Sequence, residues 1–494
     1  MMPQAKLAIR SGLIILWLAG CAVAGVLLGR LAVTPVDARA QASTRPNILL
    51  FIADDWSYPH AGAYGDKVVK TPNFDRIARE GTLFTNAYCA SPSCTPSRAS
   101  LLTGRAVHQL AEGGNLWSFL PSKFAAYPDL LEASGYFVGH TRKGWGPGDF
   151  KAGGRTRNPA GPQFKDFTEF FRQTPKDKPF CFWFGTQDPH RPYEKDAGLK
   201  AGLKPEHVVV PPHLPDTPEV RRDILDYYYE VERLDRDLGD VIKTLEAAEQ
   251  LDNTLIVVTA DNGMPFPRAK ANLYGFGTRV PLAARWPAKV KAGQIRNDFV
   301  VLTDLAPTFL DATGQQIPAE LTGRSVMPLL AGKQQAGRAQ VFLERERHAN
   351  VRRGDLSYPV RAVRTKDFLY LRNLRPDRWP AGDPELYFAV GPFGDIDDGP
   401  TKQLLLARRD DAVIGKFFAL ATAKRPAEEL YDLRRDPGEL HNVADKATYA
   451  SVKRQLRATL DKWMRETGDP RATTDDDRWD RYPYFGVRAE KESR

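Results

Sequence analysis

Three short apolar runs, each ending in acidic or amide side chains, limit what this chain can fold into more than any other feature. Asn47–Ala53 runs into Asp54-Asp55, Pro179–Thr186 into Asp188-Pro189-His190, and Thr254–Ala260 into Asp261-Asn262-Gly263. A continuous apolar run of this length suits a strand covered on both faces, as in a parallel sheet. In open parallel sheets, ligands bind beyond the carboxyl ends of the strands. The pattern therefore predicts an α/β fold with Asp54, Asp55, His190, Asp261 and Asn262 on one rim.

The intervening segments read as helices. One is predicted over Thr71–Glu80, with Pro72 in its first turn and Gly81 at its end; another follows Pro96 and runs to Thr103. Arg221–Gln250 repeats apolar residues at helical spacing, from Ile224 through Tyr228, Val231, Leu234, Leu238 and Val241 to Leu245. The character changes near Arg353. Short β-like segments, Val360–Arg364 and Phe368–Arg372, precede a terminal helix over Tyr449–Thr467, while Gly391–Thr401 reads as a loop and the tail after Asp469 as loosely ordered.

A chain of 494 residues suits one large domain with a smaller companion. The expected division is 1–42 as a signal peptide or N-terminal anchor, 43–352 as the catalytic domain, and 353–494 as a strand-rich α+β domain with a flexible tail. Lys6 and Arg10 precede an apolar run from Gly12 to Gly29, and Ala38-Arg39-Ala40 and Ala40-Gln41-Ala42 offer small-x-small cleavage patterns. This predicts export to the periplasm or beyond, with the leader cut or kept as an anchor. Leu18-Ala19-Gly20-Cys21 also fits a lipoprotein signal, ranked second because apolar sequence continues past Cys21. The mean hydropathy of −0.43 excludes a multi-span membrane protein. The net charge of +9 is spread without a Lys/Arg block, which gives nucleic-acid binding no support.

Asp54, Asp55, Asp261 and Asn262 offer three carboxylates and one amide. Acidic pairs at strand ends are common without a metal, but this all-oxygen set suits a hard cation such as calcium or magnesium. Beyond the leader stand Cys89, Cys94 and Cys181, an odd number that flags one as reactive rather than stapled.

The run Cys94-Thr95-Pro96-Ser97-Arg98-Ala99-Ser100-Leu101-Leu102-Thr103-Gly104-Arg105 resembles the signature of the type I sulfatases, whose cysteine is oxidised to formylglycine before folding. Asn47–Asp55, Thr71-Pro72-Asn73-Phe74-Asp75, Asp261-Asn262-Gly263, and Glu429–Asp432 with Asp436–Glu439 and Asn442 extend the resemblance along the chain. Asp188–Arg191, Asp261–Pro267 with Asn272–Tyr274, Ser357–Arg361 and Trp463–Pro470 are similar to the sulfamidase-like branch of that family.

The resemblance implies an alkaline-phosphatase-like fold: a large, mostly parallel sheet flanked by helices, plus a smaller C-terminal α+β domain with an antiparallel sheet. It implies hydrolysis of an O-sulfate or N-sulfate on a sulfated sugar of glycosaminoglycan type. One calcium ion would be held by Asp54, Asp55, Asp261, Asn262 and the side chain at Cys94. A hydrated aldehyde at position 94 would attack sulfur with one hydroxyl and use the second to expel sulfate, dividing the reaction into two easier steps. Arg98 would orient that hydrate, Lys143 and Lys270 would clamp sulfate oxygens, and His190 would protonate the leaving group. A formylglycine-generating or sulfatase-maturing enzyme is then a necessary partner. In isolation each of these lysines reads as a solvated charge and the histidine as structural.

Trp145 departs from the pattern. Many sulfatases carry a histidine there, two residues after the lysine that Lys143 matches; either another group such as His140 or His108 takes its part, or the second step is assisted differently. Gly144–Phe171 and Tyr193–Pro218 are the expected substrate loops. Arg155, Arg157 and Arg191 read first as solvated and second as readers of anionic groups. The rival readings are a phosphatase or phosphodiesterase of the alkaline-phosphatase superfamily and a non-catalytic binder of sulfated glycans. None of the eight histidines adjoins either acidic pair, which disfavours the first, and the complete signature disfavours the second.

Overall fold

The structure, a computed structural model, describes residues 45–333, 338–385 and 391–486. The expected leader, with Cys21, lies outside the described residues. No described helix is long and apolar enough to cross a membrane.

Eight strands form the larger sheet: β1 (Asn47–Ala53), β2 (Thr82–Tyr88), β3 (Phe137–Arg142), β4 (Gln163–Phe164), β5 (Phe180–Gly185), β6 (Thr254–Ala260), β7 (Leu282–Arg285) and β8 (Gln294–Val301), in the order β4-β3-β5-β1-β6-β7-β2-β8. β1 is central, parallel to both β5 and β6, and every one of its residues is buried. This accounts for its lack of polar alternation. β7 runs antiparallel to both β6 and β2, which leaves β2 pointing the same way as β1 and β6. The register aligns Ala53 with Ala260, and Gly185 with both Ile52 and Arg142. Four strands thus end on one rim at Asp54, Asp261, Thr186 and Lys143.

The helix predicted after Pro96 begins at Cys94 and runs to Thr103. Proline in a first turn gives up no intrahelical bond, so Pro96 lies inside the helix rather than before it. The long amphipathic helix spans Pro218–Ala247, starting earlier than its apolar spacing suggests. Thr217 caps it by accepting from the Val220 N–H, with Pro218 at the first position.

The smaller sheet is antiparallel, in the order β12-β11-β10-β9, from β9 (Gln340–Arg345), β10 (Val360–Thr365), β11 (Phe368–Asn373) and β12 (Glu428–Asp432). One face sends Val363, Tyr370 and Leu430 against Leu456, Leu460 and Met464 of the terminal helix Ala450–Glu466. The other sends Ala362 and Leu371 against Tyr88, Leu273 and Phe299. This is the period-two alternation of a sheet covered on both sides.

The described part of the tail, up to residue 486, departs from its reading as loosely ordered. Trp479 is fully buried, and the Asn115 Nδ2 donates to its carbonyl at 2.9 Å. The Arg471 Nη2 reaches Glu346 Oε2 at 3.0 Å, and the Phe485 N–H donates to the Trp117 carbonyl at 2.7 Å. A polar composition concealed one aromatic anchor and one buried ion pair, which are enough to dock the segment.

Candidate active site

β1 delivers two adjacent carboxylates to the rim. The Asp54 N–H donates to the Asp188 carbonyl at 3.1 Å and the Asp55 N–H to Asp261 Oδ1 at 3.1 Å, so the ends of β1, β5 and β6 are laced together. β2 leads to the helix whose first residue is Cys94, and the thiol donates to Asp54 Oδ1 at 3.3 Å. One turn on, Arg98 is wholly buried. Its Nε donates to Asp261 Oδ2 at 2.8 Å and its Nη1 to the Lys143 and Gly144 carbonyls at 2.8 and 2.9 Å.

Two lysines meet the carboxylates. Lys143 Nζ lies 2.5 Å from Asp54 Oδ2, and Lys270 Nζ lies 2.7 Å from Asp55 Oδ2 and 2.9 Å from Asp397 Oδ2. Burial opposes the charge of Asp54, yet Lys143, His190, Arg98 and Lys270 outweigh it and hold this carboxyl far below the usual range. Burial dominates at Asp55, only partly offset by Lys270 and His190, and pushes it up to about 6. Burial likewise opposes the charge on Lys270, but Asp397 and Asp55 keep it protonated. Burial, reinforced by Asp54, pushes the Cys94 thiol well above its ordinary value, so an unmodified cysteine here is neutral and a poor nucleophile.

The set fits a hard cation. One ligand atom from each of Asp54, Asp55, Cys94 and Asp261 lies within 4.8 Å of the others. Asn262 donates its Nδ2 to Asp55 Oδ1 at 2.7 Å, while its buried Oδ1 has no hydrogen-bond partner. An acceptor held without a donor beside three carboxylates is what an oxygen-liganded ion requires.

The rim opens into a cleft of about 1000 Å³, lined by Asp54, Cys94, Lys143, Trp145, His190 and Lys270 among others. His190 stands at its edge with 37 % of its side chain exposed. Its Nδ1 lies 2.5 Å from the Arg191 carbonyl, which fixes the proton there and leaves Nε2, 3.9 Å from Asp55 Oδ2, facing the site.

The family model for sulfatases matches residues 46–315, and that for the N-sulphoglucosamine sulphohydrolase C-terminal region matches residues 269–381. Human N-sulphoglucosamine sulphohydrolase is 33% identical over 478 residues, covering 86% of this chain and 91% of that protein. This chain belongs to the sulfatase family. Its activity class is accordingly that of a sulfuric ester hydrolase.

An N-acetylglucosamine-6-O-sulfatase of Bacteroides thetaiotaomicron is 23% identical over 87% of this sulfatase and 88% of its own length. Among solved structures, one in complex with its substrate D-glucosamine-2-N,6-O-disulfate superposes with a TM-score of 0.63 at 20% identity, covering 87% of this chain and 99% of that one. A 2-O GAG sulfatase gives 0.61 at 21%, covering 90% and 98%. At these identities the superpositions show the shared fold, a mostly parallel sheet with flanking helices and a separate antiparallel sheet.

In this sulfatase the structure brings the predicted site residues together: Asp54, Cys94, Lys143, His190 and Lys270 line the cleft, and Asp55, Arg98, Asp261 and Asn262 are buried behind it. The two histidine candidates separate. His108 is tied to Glu344 Oε2 at 2.7 Å and to the Thr467 carbonyl at 3.2 Å, and does not line the cleft. His140 does line it, with Nδ1 2.9 Å from the Gly161 carbonyl.

The loop expectations need one correction. Gly144–Gln163 forms a wall, but none of Tyr193–Pro218 lines the cleft. That stretch turns away because Asp196 and Gly198 donate their N–H groups to Asp226 on the long helix. The opposite wall comes from His348, Ala349, Gly394, Asp397 and Tyr484 in the C-terminal part. Arg191 is buried against Asp223, at 2.8 Å through both terminal nitrogens, and Arg155 pairs with Asp129 at 3.0 Å. Arg157 and Arg191 line the cleft, and Arg155 does not. Asp397 and His348 escaped sequence reasoning. Asp397 lies in a Gly/Asp loop with no motif, and His348 follows the alternating charged run Glu344–Arg347, which reads as a solvated strand end rather than a site.

Proposed function

We propose that this sulfatase removes the N-sulfate of a glucosamine unit in a glycosaminoglycan-type chain, using a formylglycine made from Cys94 and one calcium ion. The observation that carries the site chemistry is Cys94 Sγ at 3.3 Å from Asp54, beside an Asn262 Oδ1 that has no partner. The N-sulfate assignment is supported by the C-terminal family match and by the 33% identity to the human N-sulphoglucosamine enzyme.

The aldehyde hydrate supplies the attacking hydroxyl and a second one for releasing sulfate. Calcium would be held by Asp54, Asp55, Asp261, Asn262 and residue 94, and would supply charge that favours the ionised nucleophile and polarises the sulfate group. Around them, Lys143 and Lys270 place two ammonium groups where a bound sulfate can be neutralised. Arg98 reaches back one turn below residue 94 and fixes the Lys143 main chain. His190, with Nδ1 committed to the Arg191 carbonyl, has Nε2 available to hold a proton for the departing nitrogen.

Cys94 is only 2 % exposed. Its conversion therefore belongs before folding is complete, when a formylglycine-generating enzyme can still reach the signature. The leader-like N-terminus fits an exported enzyme acting on an extracellular glycan.

The test is sulfate release from N-sulfoglucosamine and from 6-O-sulfated N-acetylglucosamine, alongside mass spectrometry of the residue-94 peptide. Release from the first with formylglycine at 94 is expected. Release only from the second removes the N-sulfate assignment, and an unmodified Cys94 in active enzyme removes the mechanism.

A further inference from the structure

His348 follows β9 in a segment anchored on both sides. The Arg347 N–H donates to Asn115 Oδ1 at 3.2 Å, and Arg347 Nη2 donates to the Tyr482 and Pro483 carbonyls at 2.8 and 3.0 Å. The Ala349 N–H donates to Asp395 Oδ1 at 3.1 Å. Three separate segments thus fix the main chain on either side of residue 348, and the docked tail is one of them.

The His348 ring is 4 % exposed and lines the same cleft as Cys94, Lys143 and Lys270. Its Nδ1 lies 2.8 Å from the hydroxyl of Ser93, the residue directly before Cys94. Among the described residues no hydrogen-bond partner reaches its Nε2. One nitrogen is therefore committed, which sets the tautomer and the ring plane, and the other is left to the cleft. The charged groups facing the ring are Asp395 and Asp397 on one account and Lys270 and Arg345 on the other. Burial, with help from Lys270 and Arg345, lowers its proton affinity to about 4, so the ring is neutral at physiological pH.

Trp145 cannot serve as an imidazole, and its indole is packed into the wall, with its backbone N–H and carbonyl both bonded to Asn158 at 2.9 and 2.8 Å. His140 lines the cleft, but its neighbours are Gly144, Asn158, Gly161 and Pro162 of the wall loop rather than residue 94 or Lys270. His348 alone among the described histidines is hydrogen-bonded to the residue next to the nucleophile position.

We propose that His348 presents its Nε2 to residue 94 and to the sulfated group bound there, in place of the histidine that position 145 lacks. The proposal rests on the sulfatase reading of the site. It assigns the role to the C-terminal wall rather than to the loop after β3.

The test compares His348→Ala and His348→Asn with the unaltered enzyme, measuring kcat and KM, the formylglycine content at 94, and the melting temperature. Asparagine reproduces the hydrogen bond at Nδ1 and lacks Nε2. Both variants should keep full formylglycine and folding while kcat falls about 100-fold, with KM little changed. Added imidazole should restore part of the His348→Ala rate. Near-normal turnover by His348→Asn would show that holding Ser93 suffices and would overturn the proposal. So would a formylglycine loss matching the loss of rate, or no effect of His348→Ala. Absence of both formylglycine and sulfate release in the unaltered enzyme would instead sink the underlying reading, and the proposal with it.

Discussion

Arg98 Nε donates to Asp261 Oδ2 at 2.8 Å, a bond that joins the helix carrying residue 94 to the end of β6. The same guanidinium holds the two carbonyls after β3, so one buried side chain sets the spacing of three elements at the rim. Its planar fork is what makes this possible, because a lysine ammonium on a flexible stem cannot reach all three acceptors in one geometry.

Arg98→Ala should therefore be destabilising as well as inactivating. It strands Asp261 and two carbonyls in a dry site, which costs about 3–5 kcal/mol for a broken buried pair. Urea unfolding of the variant measures this, and a loss below about 1 kcal/mol would contradict the spacing role. Arg98→Lys should recover part of the stability and little of the activity.

Gly185→Ala tests the junction of β5 and β3. A Cβ at this position would lie 1.8 Å from the Lys143 carbonyl, backbone that cannot swing aside. That carbonyl accepts from Arg98 Nη1 at 2.8 Å and from Trp183 Nε1 at 2.9 Å. The substitution should displace Lys143 and lower kcat by at least about tenfold, since small misplacements of catalytic groups cost that much or more. Turnover equal to that of the unaltered enzyme would show that the junction tolerates the shift.

Asn262→Ala removes the amide whose Oδ1 has no partner. Calcium should raise the melting temperature of the unaltered enzyme and raise that of the variant less at the same concentration, because ligand stabilisation grows with the logarithm of affinity for the folded state. A calcium shift unaffected by the substitution would remove Asn262 from the ligand set. Chelation should abolish sulfate release, and calcium should restore it where zinc does not.

Glu230 provides a pH test away from the metal ligands. Burial, aided by Asp188 and only partly offset by Arg233, pushes its carboxyl up to about 7. A folded-state value above the unfolded one means that the folded protein binds the extra proton between roughly pH 4.5 and 7, so this group lowers stability as pH rises through that window. Glu230→Gln should flatten that fall and leave the variant more stable than the unaltered enzyme at pH 8, by at most about 3 kcal/mol. Denaturant unfolding at pH 5 and pH 8 measures the difference. A steeper fall in the variant would reverse the sign.

The strand-end carboxylates were readable because burial on both faces demands an unbroken apolar run, and the run's last residue marks the rim. Asp54, Asp55, Asp261 and Asn262 follow from that rule before any motif is considered. Residue 94 was readable for a different reason, a contiguous signature in which neighbours in sequence are neighbours in the site. Asp397 obeyed neither rule. It lies 127 residues from Lys270, its partner at 2.9 Å, and sits in a loop whose composition predicts only a turn.

The sequence alone determined three of the buried strands, the rim they share and the signature around Cys94, because periodicity and contiguous motifs are local properties. Only the tertiary structure decided which side chains complete the cleft. The far wall is assembled from residues near 348, 397 and 484, brought together by the buried Trp479, the Arg347 bonds to the tail carbonyls and the Lys270–Asp397 pair. Such contacts join segments more than a hundred residues from the signature. Their free energy comes from burial and from charges paired away from water, and neither leaves a period in the sequence to be read.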